Sequence, residues 1–168
     1  NLSFAQIKEK IMAKKPRMII FTCSPTTMTY DCEVANCAKE IDRKIITILD
    51  DSHIVPVYPE KVLKRFVNID ILIGGESEAT LYSIVKNLDN LGKVSGISFR
   101  KGKEIIHQKG ANPIDMDSFS LPAYDLVNLD NYFSWTFGKA KRLATILTSV
   151  SCPFKCSFCI VGGATIWR

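Results

Sequence analysis

An α/β fold, a parallel β-sheet covered by helices, is what the sequence predicts, and three observations carry it. Short β-branched runs alternate with segments of helical apolar period, the spacing of strands joined by crossover helices. Each of the first three runs is closed by a turn signal: Ser24-Pro25, then Asp50-Asp51, then Gly74-Gly75. The 168 residues, 46% hydrophobic and 23% charged, suit one ordinary domain or a small domain plus part of another. That balance excludes a wholly disordered or collagen-like chain.

Residues 1–15 read as a helix leading into the first of these strands. Met18-Ile-Ile-Phe21, with Pro16 before it, is a buried strand. Tyr30 to Ile41 follows as a helix, with Val34, Ala35, Ala38 and Ile41 at helical spacing and Asp31 placed to cap it. Lys44 to Leu49 is a second β-branched run. Pro59 to Phe66 opens with proline in a first helical turn, where its missing N–H costs nothing. Ile69 to Ile73 is a third strand. Ser77 to Leu88 is a helix with Leu81, Ile84, Val85 and Leu88 on one face; Ser77 is its N-cap, and Thr80 three residues on falls short of a capping box. Ile97 to Arg100 and Glu104 to His107 form a hairpin around Lys101-Gly102-Lys103. Asn112 to Phe137, with Pro113 and Pro122 and no clear period, is an ordered connector. Leu143 to Ser149 is a last strand, ending in a cysteine-rich loop. There is no internal repeat and no low-complexity tract.

Charge and hydropathy narrow the function classes. Residues 1–138 carry 17 Lys and Arg against 17 Asp and Glu, while Lys139, Lys141, Arg142, Lys155 and Arg168 stand without any acid in the last 30. These cations are scattered among Leu, Ile, Val and Cys, which suits the surroundings of an anionic cofactor better than a nucleic-acid interface. The longest apolar run, around Met18–Phe21, is far short of the roughly 18–20 residues of a membrane span. The first residues contain no apolar core followed by a small-residue cleavage site, and the chain does not begin with Met; a cytoplasmic fragment is the expectation.

The strongest chemical signal is Cys152-Pro-Phe-Lys-Cys156-Ser-Phe-Cys159. Three thiols in eight residues can turn inward together on a tight loop, and thiolates are soft ligands for iron–sulfur clusters or zinc. A structural zinc site takes four ligands, and no fourth Cys or His lies close by. Three cysteines on a four-iron cluster leave one iron open to a substrate or cofactor. The plainer reading is buried or disulfide-forming cysteine, against which cytosolic character, Pro153 and Lys155 speak. Cys23, Cys32 and Cys37 lack metal spacing with one another and read as core or surface thiols.

Ile146-Leu-Thr-Ser149 followed by Cys152-x-x-x-Cys156-x-x-Cys159 resembles the opening of a radical S-adenosylmethionine (SAM) domain. The resemblance implies a [4Fe–4S] cluster on Cys152, Cys156 and Cys159, with S-adenosyl-L-methionine chelated at the open iron and cleaved on reduction to a 5′-deoxyadenosyl radical. It places Phe158, just before the third cysteine, against the adenine; as plain chemistry Phe158 is equally a core aromatic. Upstream, Asp70-Ile-Leu-Ile-Gly-Gly-Glu-Ser-Glu-Ala-Thr-Leu81, the Gly-Ile-Ser-Phe-Arg hairpin and Leu121-Pro-Ala-Tyr-Asp125 resemble the cobalamin (B12)-binding subclass of radical SAM proteins. In that subclass a flavodoxin-like (Rossmann-type) domain precedes a (β/α) barrel. The resemblance covers nearly the whole chain, most specifically residues 70–159.

The departures are as specific as the matches. The family's B12 domain begins with an Asp-x-His-x-x-Gly motif whose His can bind cobalt; nothing here matches it, and neither His53 nor His107 has that context. Where the family often has Gly-Gly-Pro-His, Asp50-Asp51-Ser52-His53 stands, so the close backbone approach that glycine permits is lost. Val150-Ser151 replaces a frequent Arg-Gly before the first cluster cysteine. Gly74, Gly75 and Glu76 lie at the carboxyl end of a strand, where open α/β sheets bind ligands, and also read as a tight turn before a helix. Ser24 and Thr26 stand at the corresponding end of the first strand, as contacts to a cobalamin tail or as loop caps. With Asp51 they complete the candidate edge.

The sequence thus divides into a truncated cobalamin-binding-like α/β domain over 1–110, a connector over 111–142, and the first strand and cluster loop of a radical SAM barrel over 143–168. A whole barrel takes roughly 200 residues or more. The resemblance implies radical methyl transfer to a small-molecule substrate, or a related rearrangement or cyclisation, with a reducing donor such as flavodoxin or ferredoxin. Two other classes stay open: a non-catalytic flavodoxin-like module binding cobalamin or a nucleotide-like ligand, and a zinc or redox protein built on the cysteine loop.

Overall fold

The apolar runs at Met18–Thr22 (β1), Ile46–Asp50 (β2) and Ile71–Ile73 (β3) lie side by side as parallel strands, and Ile97–Lys101 (β4) and Glu104–Gln108 (β5) add an antiparallel hairpin. The sheet order is β1-β2-β3-β4-β5. This computed structural model describes residues 2–51, 58–74, 77–110, 116–118, 120–132, 142–146, 148–149, 152–154 and 156–159. The chain divides into two units, Asn1–Pro113 and Ile114–Arg168.

Register explains the core of the first unit. Ile20, Ile48, Ile71, Phe99 and Ile106 form one row across the five strands. Because side chains alternate along a strand, this row and its neighbours share one face, where Ile84, Leu81 and Leu88 of α5 (Ser77–Lys86 and its C-terminal extension) pack on them. Leu49 and Leu72 point to the opposite face, against Cys32 and Ala35 of the segment formed by α2 (Met28–Asp31) and α3 (Glu33–Ile41), and against Val62 and Leu63 of α4 (Pro59–Arg65). The crossovers from β1 to β2 and from β2 to β3 step the same way across the sheet; right-handed connections therefore put α3 and α4 on the same face. Helix α1 (Phe4–Lys14) covers α3, burying Ile11 with Cys37, Ala38 and Ile45. It starts in a capping box, with Gln6 N donating to Ser3 Oγ and Ser3 N donating to Gln6 Oε1 at 2.8 Å.

Both ends of the strands are polar. At the amino end Asp70 accepts from Lys39 Nζ at 2.6 Å and from Thr47 N at 2.8 Å, and Lys39 also donates to the Ile45 carbonyl at 2.6 Å. The network ties α3 to β2 and to the lead-in of β3. The hairpin turns at Gly102 with φ +64°, and Gly96 at φ +74° brings its Cα so close to Gly110 that a Cβ would meet the Gly110 carbonyl oxygen at 2.7 Å.

Several sequence expectations change. The helix expected over 30–41 begins at Met28 and is interrupted at Cys32; Asp31 does not cap it but accepts from the Thr27 hydroxyl at 2.5 Å. Val85 is exposed while Ile84 is buried, so the apolar face of α5 is narrower than its sequence pattern. The expected hairpin is there and makes the otherwise parallel sheet mixed. In the second unit, the described residues of the expected strand 143–149 are not in a strand, and Ile146 is exposed. A strand needs neighbours on which to place its N–H and C=O groups. Here Leu143 N donates to the Tyr132 carbonyl at 3.0 Å, and the Thr145 carbonyl accepts from the Tyr124 hydroxyl. The connector does contain order, as 3-10 turns at Met116–Ser118, Tyr124–Leu126 and Leu129–Asn131. Among the described residues, no helix is long and apolar enough to cross a membrane.

Candidate functional site

The carboxyl end of the sheet is assembled by three strand exits. After β1 the chain turns through Ser24 to Thr27, and the hydroxyls there satisfy one another: Ser24 Oγ lies 3.0 Å from Thr26 Oγ1 and 2.8 Å from Thr27 Oγ1. The Thr27 hydroxyl then donates to Asp31. This is a loop that holds itself, as short polar side chains do next to a helix start.

β2 ends at Asp50, and Asp51 follows it. Asp50 accepts a hydrogen bond from Ser77, the first residue of α5. Burial pushes its carboxyl above the ordinary range, the Ser77 bond works against that, and the nearby charges of Glu78 and Asp51 add to it. Asp51 is buried on the side of Cys23. Burial pushes the Cys23 thiol up to about 12, with Asp51 and Asp31 contributing. The Cys32 thiol is likewise pushed up to about 12, first by burial. Cys32 lies in the core and Cys23 is partly buried against it, and the raised values favour the protonated thiol in both.

After β3 comes Gly74. Gly75, Glu76 and His53 lie outside the described residues. Four amides at this edge already donate within the chain: Ser24 N to Thr27 Oγ1 at 3.3 Å, Thr27 N to the Ser24 carbonyl at 3.1 Å, Asp51 N to the Ile73 carbonyl at 3.3 Å, and Gly74 N to the Gly96 carbonyl at 3.2 Å. The structure thus brings Ser24 and Thr26 together, and places Asp51 and Gly74 at the neighbouring exits. Asp31 and Ser77 read from the sequence only as helix caps, and the four-residue spacing of Thr27 and Asp31 is the sequence hint of their pairing.

In the second unit, Cys152 is half-buried, Cys156 and Cys159 are exposed, and all three are free thiols. A tight turn joins the last two, with Cys159 N donating to the Cys156 carbonyl at 3.1 Å. Among the described residues, no three metal-ligating side chains converge as a metal centre. The donor set itself fits a thiolate-ligated cluster: three unpaired thiols on one short, accessible loop. Phe158 is 91% exposed and Phe154 is 68% exposed. His107 is in the hairpin, where its Nδ1 lies 2.7 Å from Ser98 Oγ.

No family model matches the chain. Among curated proteins it is 26% identical over 95% of its length to an uncharacterized methyltransferase of Pyrococcus horikoshii, covering 34% of that protein. It is 31% identical over 95% of its length to the anaerobic magnesium-protoporphyrin IX monomethyl ester cyclase of Rubrivivax gelatinosus, covering 29% of it. It is 23% identical over 90% of its length to a cobalamin-dependent radical SAM methyltransferase of Streptomyces tokunonensis, covering 23% of it. The resemblance to B12-binding radical SAM proteins is borne out by these relatives, and the chain spans about a quarter to a third of the curated relatives it matches.

Proposed function

We propose that this chain is the segment of a radical SAM enzyme that carries an α/β domain followed in sequence by the iron–sulfur ligands. The reaction class is a radical cyclisation, rearrangement or methyl transfer on a small molecule. The observation that carries the reading is the loop of three free thiols at Cys152, Cys156 and Cys159, in a chain similar over most of its length to radical SAM and cyclase relatives. Cys152, Cys156 and Cys159 would hold a [4Fe–4S] cluster, which would pass on the donor's electron for reductive cleavage of S-adenosylmethionine. The chain's own part is to carry three thiols within one eight-residue stretch, with no fourth Cys or His close by in the sequence. Phe158, exposed next to Cys159, offers a flat apolar surface for an adenine. A low-potential donor of the flavodoxin or ferredoxin type is the partner this chemistry requires.

The α/β edge bears on which reaction class applies. Its hydroxyls and described amides are engaged internally, and Asp50 and Asp51 stand where a corrinoid would approach. These residues do not fit cobalamin. That favours cyclisation or rearrangement over transfer of a corrinoid-borne methyl group.

Anaerobic reconstitution of the purified chain with iron and sulfide tests the proposal. The expected product carries about four iron and four sulfide per chain, with the absorbance and electron paramagnetic resonance of a four-iron cluster after reduction. Cys152→Ala, Cys156→Ala and Cys159→Ala should each deplete it, whereas Cys23→Ala should leave iron content unchanged. A triple loop variant that kept its full iron and sulfide would refute the assignment. Stoichiometric zinc with no cluster spectrum would return the loop to the zinc class.

A further inference from the structure

β1 stands first in the sheet order, so one of its sides pairs with β2 and the other is an edge. The Ile46 amide donates to the Arg17 carbonyl at 3.0 Å. The parallel pattern then turns the amides and carbonyls of Ile19 and Phe21 towards β2, and those of Met18, Ile20 and Thr22 the other way. Among the described residues, no hydrogen bond takes up these outward groups.

The devices that keep sheet edges apart are missing from this strand. Met18-Ile-Ile-Phe-Thr22 has no charge and no proline, and it pairs with β2 residue for residue, without a bulge. The apolar row across the sheet is fully buried at Ile48 and ends at Ile20, which is 45% exposed. A bare isoleucine and a set of unpaired backbone groups therefore lie side by side on the outer edge.

Charge along that edge says what it takes. Lys14, Lys15 and Arg17 stand where β1 begins, exposed and in no ion pair among the described residues. Residues 18–38 hold Asp31 and Glu33 and no Lys or Arg. Asp31 is tied through the Thr27 hydroxyl to Ser24, just past the end of β1. The edge is thus basic at one end, apolar in the middle and acidic at the other, and it is its own complement when turned end for end. A two-fold axis through Ile20 sets Ile20 opposite Ile20 and Met18 opposite Thr22 of a second copy. The outward groups of each opposed pair then exchange both backbone bonds. The same axis brings Lys15 and Arg17 of each copy towards the Ser24–Asp31 segment of the other, whereas a parallel partner would set like ends together.

We infer that the outer edge of β1 is a self-pairing interface: a second copy of this chain adds its own β1 antiparallel, centred on Ile20, and the two five-stranded sheets become one. The inference does not depend on the radical SAM reading, and its test does not involve the cysteine loop.

Sedimentation velocity of the whole chain over a range of concentrations, together with amide hydrogen exchange, tests it. The wild type should pass from monomer to dimer as concentration rises, and the Ile20 and Thr22 amides should exchange at least about tenfold more slowly in the dimer. Ile20→Pro removes an outward N–H and leaves the bonds that Ile19 and Phe21 make to β2, while Ile20→Lys places a charge on the central pair. Each should raise the dimer dissociation constant at least about tenfold. Ile20→Lys provides the comparison if the proline variant does not fold. Lys15→Glu/Arg17→Glu, at exposed positions, should also weaken the dimer, and less so at high salt. A chain that stays monomeric, a dimer whose Ile20 and Thr22 amides exchange at the monomer rate, or a dimer unmoved by Ile20→Lys would overturn the inference. A dimer indifferent to Lys15→Glu/Arg17→Glu would overturn the role given to the end charges.

Discussion

The two edges of one sheet are built on opposite electrostatic plans. At the amino edge a cation and a carboxylate meet directly: Lys39 and Asp70 are 2.6 Å apart, Asp70 also accepts from Thr47 N, and Lys39 also donates to the Ile45 carbonyl. Thr47 Oγ1 donates on to the Asn68 carbonyl, and Asn68 Nδ2 to Asn36 Oδ1 at 2.8 Å, so the network cross-links α3, β2 and the start of β3. At the carboxyl edge, Asp31 and Asp50 are answered by hydroxyl-bearing residues, Thr27 and Ser77, rather than by Lys or Arg. The difference teaches where this fold stores stability and where it keeps chemistry. A satisfied, partly buried ion pair rigidifies the amino end. Crowded carboxylates are tolerated at the end where α/β sheets meet ligands, at a cost in stability.

Substitutions break or sharpen this contrast. The largest effect is expected at the amino edge: Asp70→Ala leaves Lys39 with a half-buried charge and Thr47 with an unmet amide, and should cost about 2–3 kcal/mol in urea unfolding. If it costs no more than a carboxyl-edge substitution, the contrast fails. Gly96→Ala, which changes no side chain of either edge network, should cost about 1–3 kcal/mol, because φ +74° and the Gly110 carbonyl at 2.7 Å both oppose a Cβ. It calibrates backbone strain against electrostatics. Ser24→Ala removes the hub of the hydroxyl loop and should cost only about 0.5–1 kcal/mol, since the loop is exposed and water can replace the bonds.

Asp50→Asn should have the smallest effect at neutral pH, and with the opposite sign. Burial raises the folded carboxyl above its ordinary value of 3.8, so the folded chain keeps this proton longer than the unfolded chain does. The contribution to stability is therefore complete below the ordinary carboxyl range and is lost as pH rises through the raised folded value. Unfolding curves from acid to neutral pH should show the wild type losing ground relative to Asp50→Asn across that window. A variant that is uniformly less stable would mean that the Ser77 bond outweighs the burial of charge.

Most of the fold of the first unit was legible in the sequence. The β-branched runs at 18–21, 44–49 and 69–73 and the helical period at 77–88 depend on spacing alone, and the strands and helices lie there. The run at 143–149 had the same composition, yet its described residues form no strand, because β-structure requires a partner and apolar pattern does not supply one. Val85 fits the apolar face of α5 by period but is exposed, since burial depends on which flank of the helix the sheet reaches. The three-thiol loop was also legible, because ligand type and spacing state its chemistry directly. Convergence of its sulfurs was not, because that depends on backbone placement.

The sequence by itself determined the alternation of strand and helix, the absence of any Lys or Arg from the strand exits, and the three thiols with their spacing. Local period, charge and side-chain chemistry are properties of the chain. Only the tertiary structure decided that Asp50 meets Ser77 at the head of α5, that Lys39 reaches Asp70, and that the Ser24 and Thr27 hydroxyls close on one another and on Asp31. The first two are pairings between residues far apart in the chain, set by strand register and helix packing, and the third depends on the turn that the β1 exit takes. No local pattern encodes which polar group will find which partner.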